Sequence, residues 1–329
     1  MKKKTRNVLI GTGVVAGISA LASAVSFHTT NKLMKVALDR PKNDEKENSN
    51  QSEKRISGTK IDSEFYEKQR LATEKLKSLE LEDVKITTVD GTELVGHWYS
   101  SENAKRTIIA MHGWRSSWTK DFAIISEFWH ANNCNVLYVE QRGQNNSGGD
   151  YMGFGMLERY DCLDWVNWVI ENKTSDLPIY LCGISMGAST VLMAGGLDLP
   201  QNVHGIMADC GYTSPHEIWK HVAEKNMRLY YNGIIGKIAD DICRRKIQVG
   251  SRDVSCVDAM ENCKTPIFFV HGTDDHFVPV EMTFENYKAC SAPKKLLVVP
   301  GAEHGMSYIV EQDNYENAVL DFWEEFDER

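Results

Sequence analysis

Hydrophobic and polar positions divide the chain into three regimes. Behind Lys2, Lys3, Lys4 and Arg6, the residues from Val8 to Phe27 are apolar or small and carry no charge. At about 1.5 Å of rise per residue, a helix of this length spans a hydrocarbon core. From Pro41 to Lys60 no apolar period is visible, and the run Lys42-Asn43-Asp44-Glu45-Lys46-Glu47 is wholly polar. Such a stretch buries no core and reads as a tether. The organisation expected is a membrane anchor or export signal over 1–30, a linker over 31–60 and a folded domain over 61–329.

Within the folded part, Phe65, Leu71, Leu76 and Leu79 recur among charges and predict an amphipathic helix from Ile61 to Leu81. Val84–Val89 and Glu93–Ser100 predict two strands, with Asp90-Gly91 turning a hairpin between them. Short apolar runs then alternate with longer helical stretches. The runs are Thr107–Met111, Asn135–Val139, Ile179–Cys182, Gly205–Ala208, Ile267–Val270 and Lys295–Val299. They are nearly continuous in aliphatic residues, as strands covered on both faces must be. Helices are expected near Phe122–Asn132, Gly155–Glu171, Met186–Gly196 and Glu281–Cys290, with one more near Tyr308–Phe326. The alternation predicts an α/β fold with a mostly parallel central sheet and helices on both faces. Ligands of such sheets bind at the carboxyl ends of the strands.

Composition narrows the choice of function. Hydrophobic residues make up 42% and charged residues 25% of 329, which excludes a disordered chain and a multi-span membrane protein. The net charge of -9 repels phosphate backbones, so nucleic acid is not expected as a partner. None of the eight cysteines forms a C-x-x-C pair, and buried thiols are expected. His216 and His221 are five residues apart, roughly 140° around a helix, so they cannot share a zinc ion from one helix face. No metal or organic cofactor is expected.

The sharp turn after one strand carries the chemistry. Gly183-Ile184-Ser185-Met186-Gly187 is a G-x-S-x-G sequence between a buried strand and a helix rich in small residues. Glycines on either side let strand and helix approach closely, and the turn projects Ser185 above the sheet edge. The helix that starts at Met186 points its positive end at the same place. Two later strands also end in reactive residues, in His271-Gly272-Thr273-Asp274-Asp275-His276-Phe277-Val278-Pro279 and in Pro300-Gly301-Ala302-Glu303-His304-Gly305.

Serine, acid and histidine in this order resemble the catalytic triad of the α/β-hydrolase superfamily, and the likeness runs from about Val84 to the C-terminus. It implies Ser185 as nucleophile, Asp275 as acid and His304 as base. Asp274 and the strand-end Asp209 remain alternatives for the acid. The strand ending in His112-Gly113-Trp114 resembles the one that leads into the family's oxyanion loop, implying that the amides of Trp114 and Met186 form the oxyanion hole. His112 and His271 resemble strand-end histidines that support loops. Gln141-Arg142-Gly143 through Gly149, Gly153-Phe154-Gly155, Glu158 through Asp161 and Asp209-Cys210-Gly211-Tyr212 narrow the likeness further. They resemble bacterial membrane-anchored hydrolases of the serine aminopeptidase or prolyl-oligopeptidase-like group. Gln144-Asn145-Asn146 departs from that group, where a His-Gly pair is common. Arg142 reads as a structural ion-pair partner or a binder of an acidic group.

In this fold an insertion such as 213–264, with Trp219, Met227, Leu229, Tyr230, Tyr231, Ile234 and Ile235 on helical spacing, forms a small helical cap. Trp114, Tyr212 and Phe277 then line an apolar substrate pocket. The function expected is hydrolysis of a carboxylic ester through an acyl-enzyme. The alternative is a serine peptidase acting on short peptides, which needs a cap carboxylate such as Glu217, Glu224, Asp240 or Asp241 to hold a free amine. A binding module with an inactive triad is a third reading. A single-pass anchor with the catalytic body outside the cell is expected from the leader. The alternative is secretion after cleavage at Ala22-Ser23-Ala24.

Overall fold

The computed structural model describes residues 26–41, 63–174 and 176–328. The apolar leader up to residue 25 and the polar stretch 42–62 lie outside the described residues. Among the described residues no helix is long and apolar enough to cross a membrane.

Elements follow in the order α1 (26–38), α2 (Ser63–Lys77), β1 (Glu82–Thr87), β2 (Glu93–Tyr99), β3 (Arg106–Met111), α3 (Trp118–Ala131), β4 (Cys134–Glu140), α4 (Glu158–Asn172), β5 (Ile179–Ile184) and α5 (Met186–Ala194). After them come β6 (Val203–Asp209), α6 (Pro215–His221), a π-helical turn (Val222–Asn226), α7 (Gly233–Ile247), α8 (Cys256–Asn262), β7 (Ile267–Gly272), α9 (Val280–Ala289), β8 (Lys294–Val299), α10 (Ser307–Val310) and α11 (Gln312–Phe326). The strands form one sheet in the order β1-β2-β4-β3-β5-β6-β7-β8. β1, β2 and β4 pair antiparallel, and every pair from β4 through β3 to β8 is parallel.

The continuous apolar runs have a direct explanation. Successive side chains of a strand point to opposite faces. In β3, Ile109 and Met111 enter one core while Ile108 and Ala110 enter the other. In β5, Leu181 and Tyr180 divide in the same way. The first core packs under α1, α4, α5, α8 and α9, and the second under α2, α3 and α11. α5 is buried on every side, which is why it reads as apolar and small all round rather than amphipathic. The hairpin forms at Asp90-Gly91, where Gly91 takes φ 82° and its amide donates to the Thr88 carbonyl.

Three local expectations need correction. Residues 31–41 are not a linker: α1 is docked, with Met34 and Leu38 buried in the first core. Leu33, Met34, Ala37 and Leu38 repeat at helical spacing, and the intervening Lys32, Lys35 and Val36 face outward. The C-terminal helical stretch is two helices, broken at Glu311 (φ −132°, ψ 54°), and Ser307 at the start of α10 donates to Asp209 at the end of β6. In the insertion, Met227 to Asn232 are not helical. Arg228 has φ 54°, and the Asn232 side chain caps α7 by accepting from the amides of Ile234 and Ile235. α8 packs on α5 and α9, with the Cys256 thiol directed at the Ser189 carbonyl, so the end of the insertion is part of the body.

Candidate active site

Ser185 sits at the tip of the turn from β5 to α5 with φ 57° and ψ −116°, a conformation that a non-glycine residue adopts only under constraint. The surroundings supply that constraint. A Cβ on Gly183 would lie 2.2 Å from the Gly187 carbonyl oxygen, and one on Gly187 would lie 1.8 Å from that of Met111. Both positions therefore exclude any side chain. The Ser185 amide donates to the Asp209 carbonyl at 2.9 Å, fixing the turn to β6.

The turns after β7 and β8 bring the other two residues to it. His304 Nε2 lies 2.9 Å from Ser185 Oγ, and its Nδ1 lies 2.6 Å from Asp275 Oδ2. A carboxylate only accepts, so Nδ1 carries the proton and Nε2 is left to accept from the serine hydroxyl. Asp275 is buried, and its Oδ1 accepts from the amides of Phe277 and Val278 at 2.9 and 2.8 Å. His271 Nε2 lies 3.2 Å from Asp275 Oδ2 and 2.8 Å from the Val278 carbonyl, so this nitrogen is also a donor. Burial on its own would raise the Asp275 carboxyl. The charge of His304 and hydrogen bonds from His271 and His304 outweigh it and hold the group well below the usual carboxylate range. Burial would lower the His304 imidazole, but the Asp275 carboxylate raises it well above the ordinary histidine value.

The other candidate acids sit elsewhere. Asp274 is exposed and accepts from the Thr273 hydroxyl. Asp209 is buried, accepts from Ser307 at 3.1 Å, and is pushed up to about 6 by burial. Neither makes a hydrogen bond to His304. Cys210, expected from the sequence only as a buried thiol, follows Asp209 with φ 52°. Its sulfur and potential ligand atoms of Asp275 and His304 lie within 4.8 Å of one another. Burial pushes the thiol up to about 11, so it is a neutral neighbour of the pair at neutral pH. Its proximity to His304 follows from the sheet order, which no local sequence signal announces.

Trp114, Ser185, Met186, Tyr212 and Phe277 all line one apolar cleft of about 330 Å3. The Met186 amide is the first of α5, and neither it nor the Trp114 amide has a hydrogen-bond partner among the described residues. Phe277 packs edge-on to the His304 ring with centroids 5.0 Å apart. The Tyr212 hydroxyl is taken up by the Phe154 carbonyl at 3.0 Å. Arg142 is structural: it pairs with buried Asp161 through two nitrogens and with Asp90 in the hairpin turn. His112 supports its loop, with Nδ1 at 2.8 Å from the Gly113 carbonyl and Nε2 accepting from the Gln141 amide. Asn145, in the divergent loop, donates to the Ser116 carbonyl. α1 forms one wall of the cleft, which the sequence did not foretell. The Trp114 indole donates to the Ala37 carbonyl at 2.9 Å, Arg115 caps the helix at the Val36 carbonyl, and Lys246 pairs with Asp39.

A serine on a strained strand-to-helix turn, within a mostly parallel sheet flanked by helices, defines an α/β-hydrolase of the serine hydrolase type. Residues 120–327 match the prolyl oligopeptidase family, and the chain belongs to it. It is 26% identical over 250 residues to YqkD of Bacillus subtilis, covering 76% of this chain and 81% of that protein. It is 24% identical to YfhR of Escherichia coli K12, over 73% of this chain and 80% of that one; both relatives are themselves uncharacterized. Among solved structures, the esterase Pf2001 of Pyrococcus furiosus superposes with a TM-score of 0.63 at 24% identity, over 77% of this chain and 94% of that chain. An acylaminoacyl peptidase of Pyrococcus horikoshii gives a TM-score of 0.55 at 14% identity, over 76% of this chain and 42% of that chain.

Proposed function

We propose that the protein hydrolyses carboxylic esters through an acyl-enzyme formed on Ser185. The observation that carries this reading is the continuous hydrogen-bonded path from Ser185 Oγ through His304 to Asp275. His304 Nε2 takes the serine proton as the oxygen attacks the ester carbonyl, and Asp275 stabilises the imidazolium. The amides of Trp114 and Met186 receive the developing oxyanion; in enzymes of this type each such donor is worth on the order of 10²–10³ in turnover. As the tetrahedral adduct collapses, the C–O bond to the alcohol breaks and His304 returns its proton to the leaving oxygen. Water, deprotonated by His304, then releases the acid and regenerates Ser185.

A peptidase is the second reading, favoured by the family and by the likeness to acylaminoacyl peptidase. An aminopeptidase places its substrate's free amine on the acyl side of the scissile bond and needs an anion there. None of Glu217, Glu224, Asp240 and Asp241 lines the apolar cleft, and Asp240 is engaged by Arg244 and Ser251. This supports an ester over an aminopeptidase substrate with a free amine. The deciding experiment is fluorophosphonate labelling of wild type and Ser185→Ala, followed by nitrophenyl esters against aminoacyl nitroanilides. Labelling of wild type alone and faster ester cleavage are expected. Faster anilide cleavage would overturn the ester reading, and an unlabelled wild type would leave the binding-module reading. The leader is read as a single-pass anchor with the catalytic body outside; protease shaving of intact cells should remove the body, and protection would refute that placement.

A further inference from the structure

Two clefts meet at Ser185. The first, of about 330 Å3, and the second, of about 390 Å3, share Trp114, Ser185 and Phe277. They differ in what else they touch. Met186 lines the first, whereas His304 lines the second. In an acyl transfer, the general acid must reach the leaving oxygen, within hydrogen-bond distance of the imidazole. The alcohol therefore departs on the His304 side, into the second cleft, and the acyl chain lies in the first, beside Met186.

The two clefts also differ in chemistry. Among the described residues, no charged side chain lines the first. Its walls come from Leu33, Met34 and Ala37 of α1 on one side and from Trp219, Met227 and Ile235 of the insertion on the other. At about 30 Å3 per water-sized group, it holds on the order of ten such groups. The second cleft is also apolar over most of its walls, through residues such as Phe65, Ile124, Ile125 and Met306, but unlike the first it carries the charged or amide side chains Gln69, Lys120, Asp121 and Asp209 beside His304.

Resting on the ester-hydrolase reading above, we propose that the substrate is an ester of a medium-length lipophilic carboxylic acid, the acyl chain lying against α1 and the alcohol leaving on the His304 side. Leu33 and Met34 are then specificity-determining residues that limit the length of the chain. A wall without charged side chains offers no counter-ion to an amine, and the charged groups of the second cleft lie on the side where the alcohol departs.

Isomeric esters test this. Methyl octanoate and heptyl acetate share one formula but place the long chain on opposite sides of the carbonyl. With the full-length protein, kcat/KM for methyl octanoate should exceed that for methyl butanoate by ~10²-fold, given about 4-fold per buried methylene, and should also exceed that for heptyl acetate. Leu33→Trp, which fills the first cleft from the α1 side, should lower the octanoate-to-butanoate ratio at least ~10-fold. Equal rates on the two isomers, or a preference for heptyl acetate, would overturn the assignment of the clefts. An unchanged chain-length ratio in Leu33→Trp would overturn the part given to α1. Fluorophosphonate labelling separates the two levels. If Ser185 is labelled but the isomer preference is absent, only the cleft assignment fails. If Ser185 is not labelled, the ester-hydrolase reading fails and this one with it.

Discussion

Replacing Asp275 by asparagine keeps shape and volume while removing one charge, and its consequences can be worked out from the contacts. The carboxylate does two things for His304: it fixes the proton on Nδ1 across 2.6 Å, and it raises the imidazole pKa against the opposing effect of burial. An asparagine amide can donate as well as accept, so the tautomer with the proton on Nε2 becomes accessible, and that tautomer cannot accept from Ser185. The loss expected at the plateau is on the order of 10³–10⁴ in kcat, or about 4–5 kcal/mol of transition-state stabilisation. The pH profile should move independently of that loss. Activity requires neutral His304, so the acid limb of kcat/KM follows the imidazole pKa of the free enzyme. Wild type, with a raised value, gains activity only as the pH climbs above the ordinary histidine range. In Asp275→Asn the stabilising anion is gone, burial remains, and the limb moves to lower pH. The assay is nitrophenyl ester hydrolysis across pH, with Asp274→Asn in parallel. The exposed Asp274 touches neither His304 nor Ser185, so its variant should keep the wild-type limb. A limb that stays in place or rises in Asp275→Asn, or one that moves in Asp274→Asn, would refute this account of the acid.

Other expectations concern the frame around the site. Arg142→Met leaves Asp161 buried without its partner and should destabilise the fold by about 3–5 kcal/mol in urea unfolding, with Asp161→Asn in the same chain recovering part of the loss. Gly187→Ala places a methyl 1.8 Å from the Met111 carbonyl oxygen; a loss above ~3 kcal/mol or failure to fold is expected from overpacking of this severity, read as soluble yield and melting temperature. Asp209 has a folded-state value of about 6, raised from 3.8 by burial, so its stabilising contribution is complete below the unfolded value and is lost as the pH rises through the folded one. The stability of Asp209→Asn relative to wild type should therefore improve by up to about 3 kcal/mol between roughly pH 4 and pH 7. A pH-independent difference between the two proteins would contradict that shift.

The sheet was legible because each of its inner strands is covered on both faces, so Ile108 and Ile109, or Tyr180 and Leu181, had to be apolar together. The serine turn was legible for a related reason: strand and helix approach so closely at Gly183 and Gly187 that only glycine fits, and the constraint is written locally. The placement of α1 was not. Its apolar stripe is narrow and interrupted by Lys32 and Lys35, and its partners, among them Trp114, Arg115 and Lys246, lie far along the chain. The neighbourhood of Cys210 and His304 depends on β6, β7 and β8 lying side by side in the sheet, a matter of strand order rather than of sequence pattern. Helical spacing misled at Met227 to Asn232, where apolar side chains face a cleft from an irregular segment and periodicity carries no information.

The docking of residues 26–41 sets how short the protein can be made. Signal peptidase acting after Ala24 would leave Ser26 onward attached, so maturation and retention of the leader deliver the same wall to the cleft. Trimming the gene to the hydrolase body from residue 61 would instead uncover the Trp114 indole, unpair Lys246 and open the acyl side to water, yielding an enzyme with its reactive serine in place and its selectivity gone.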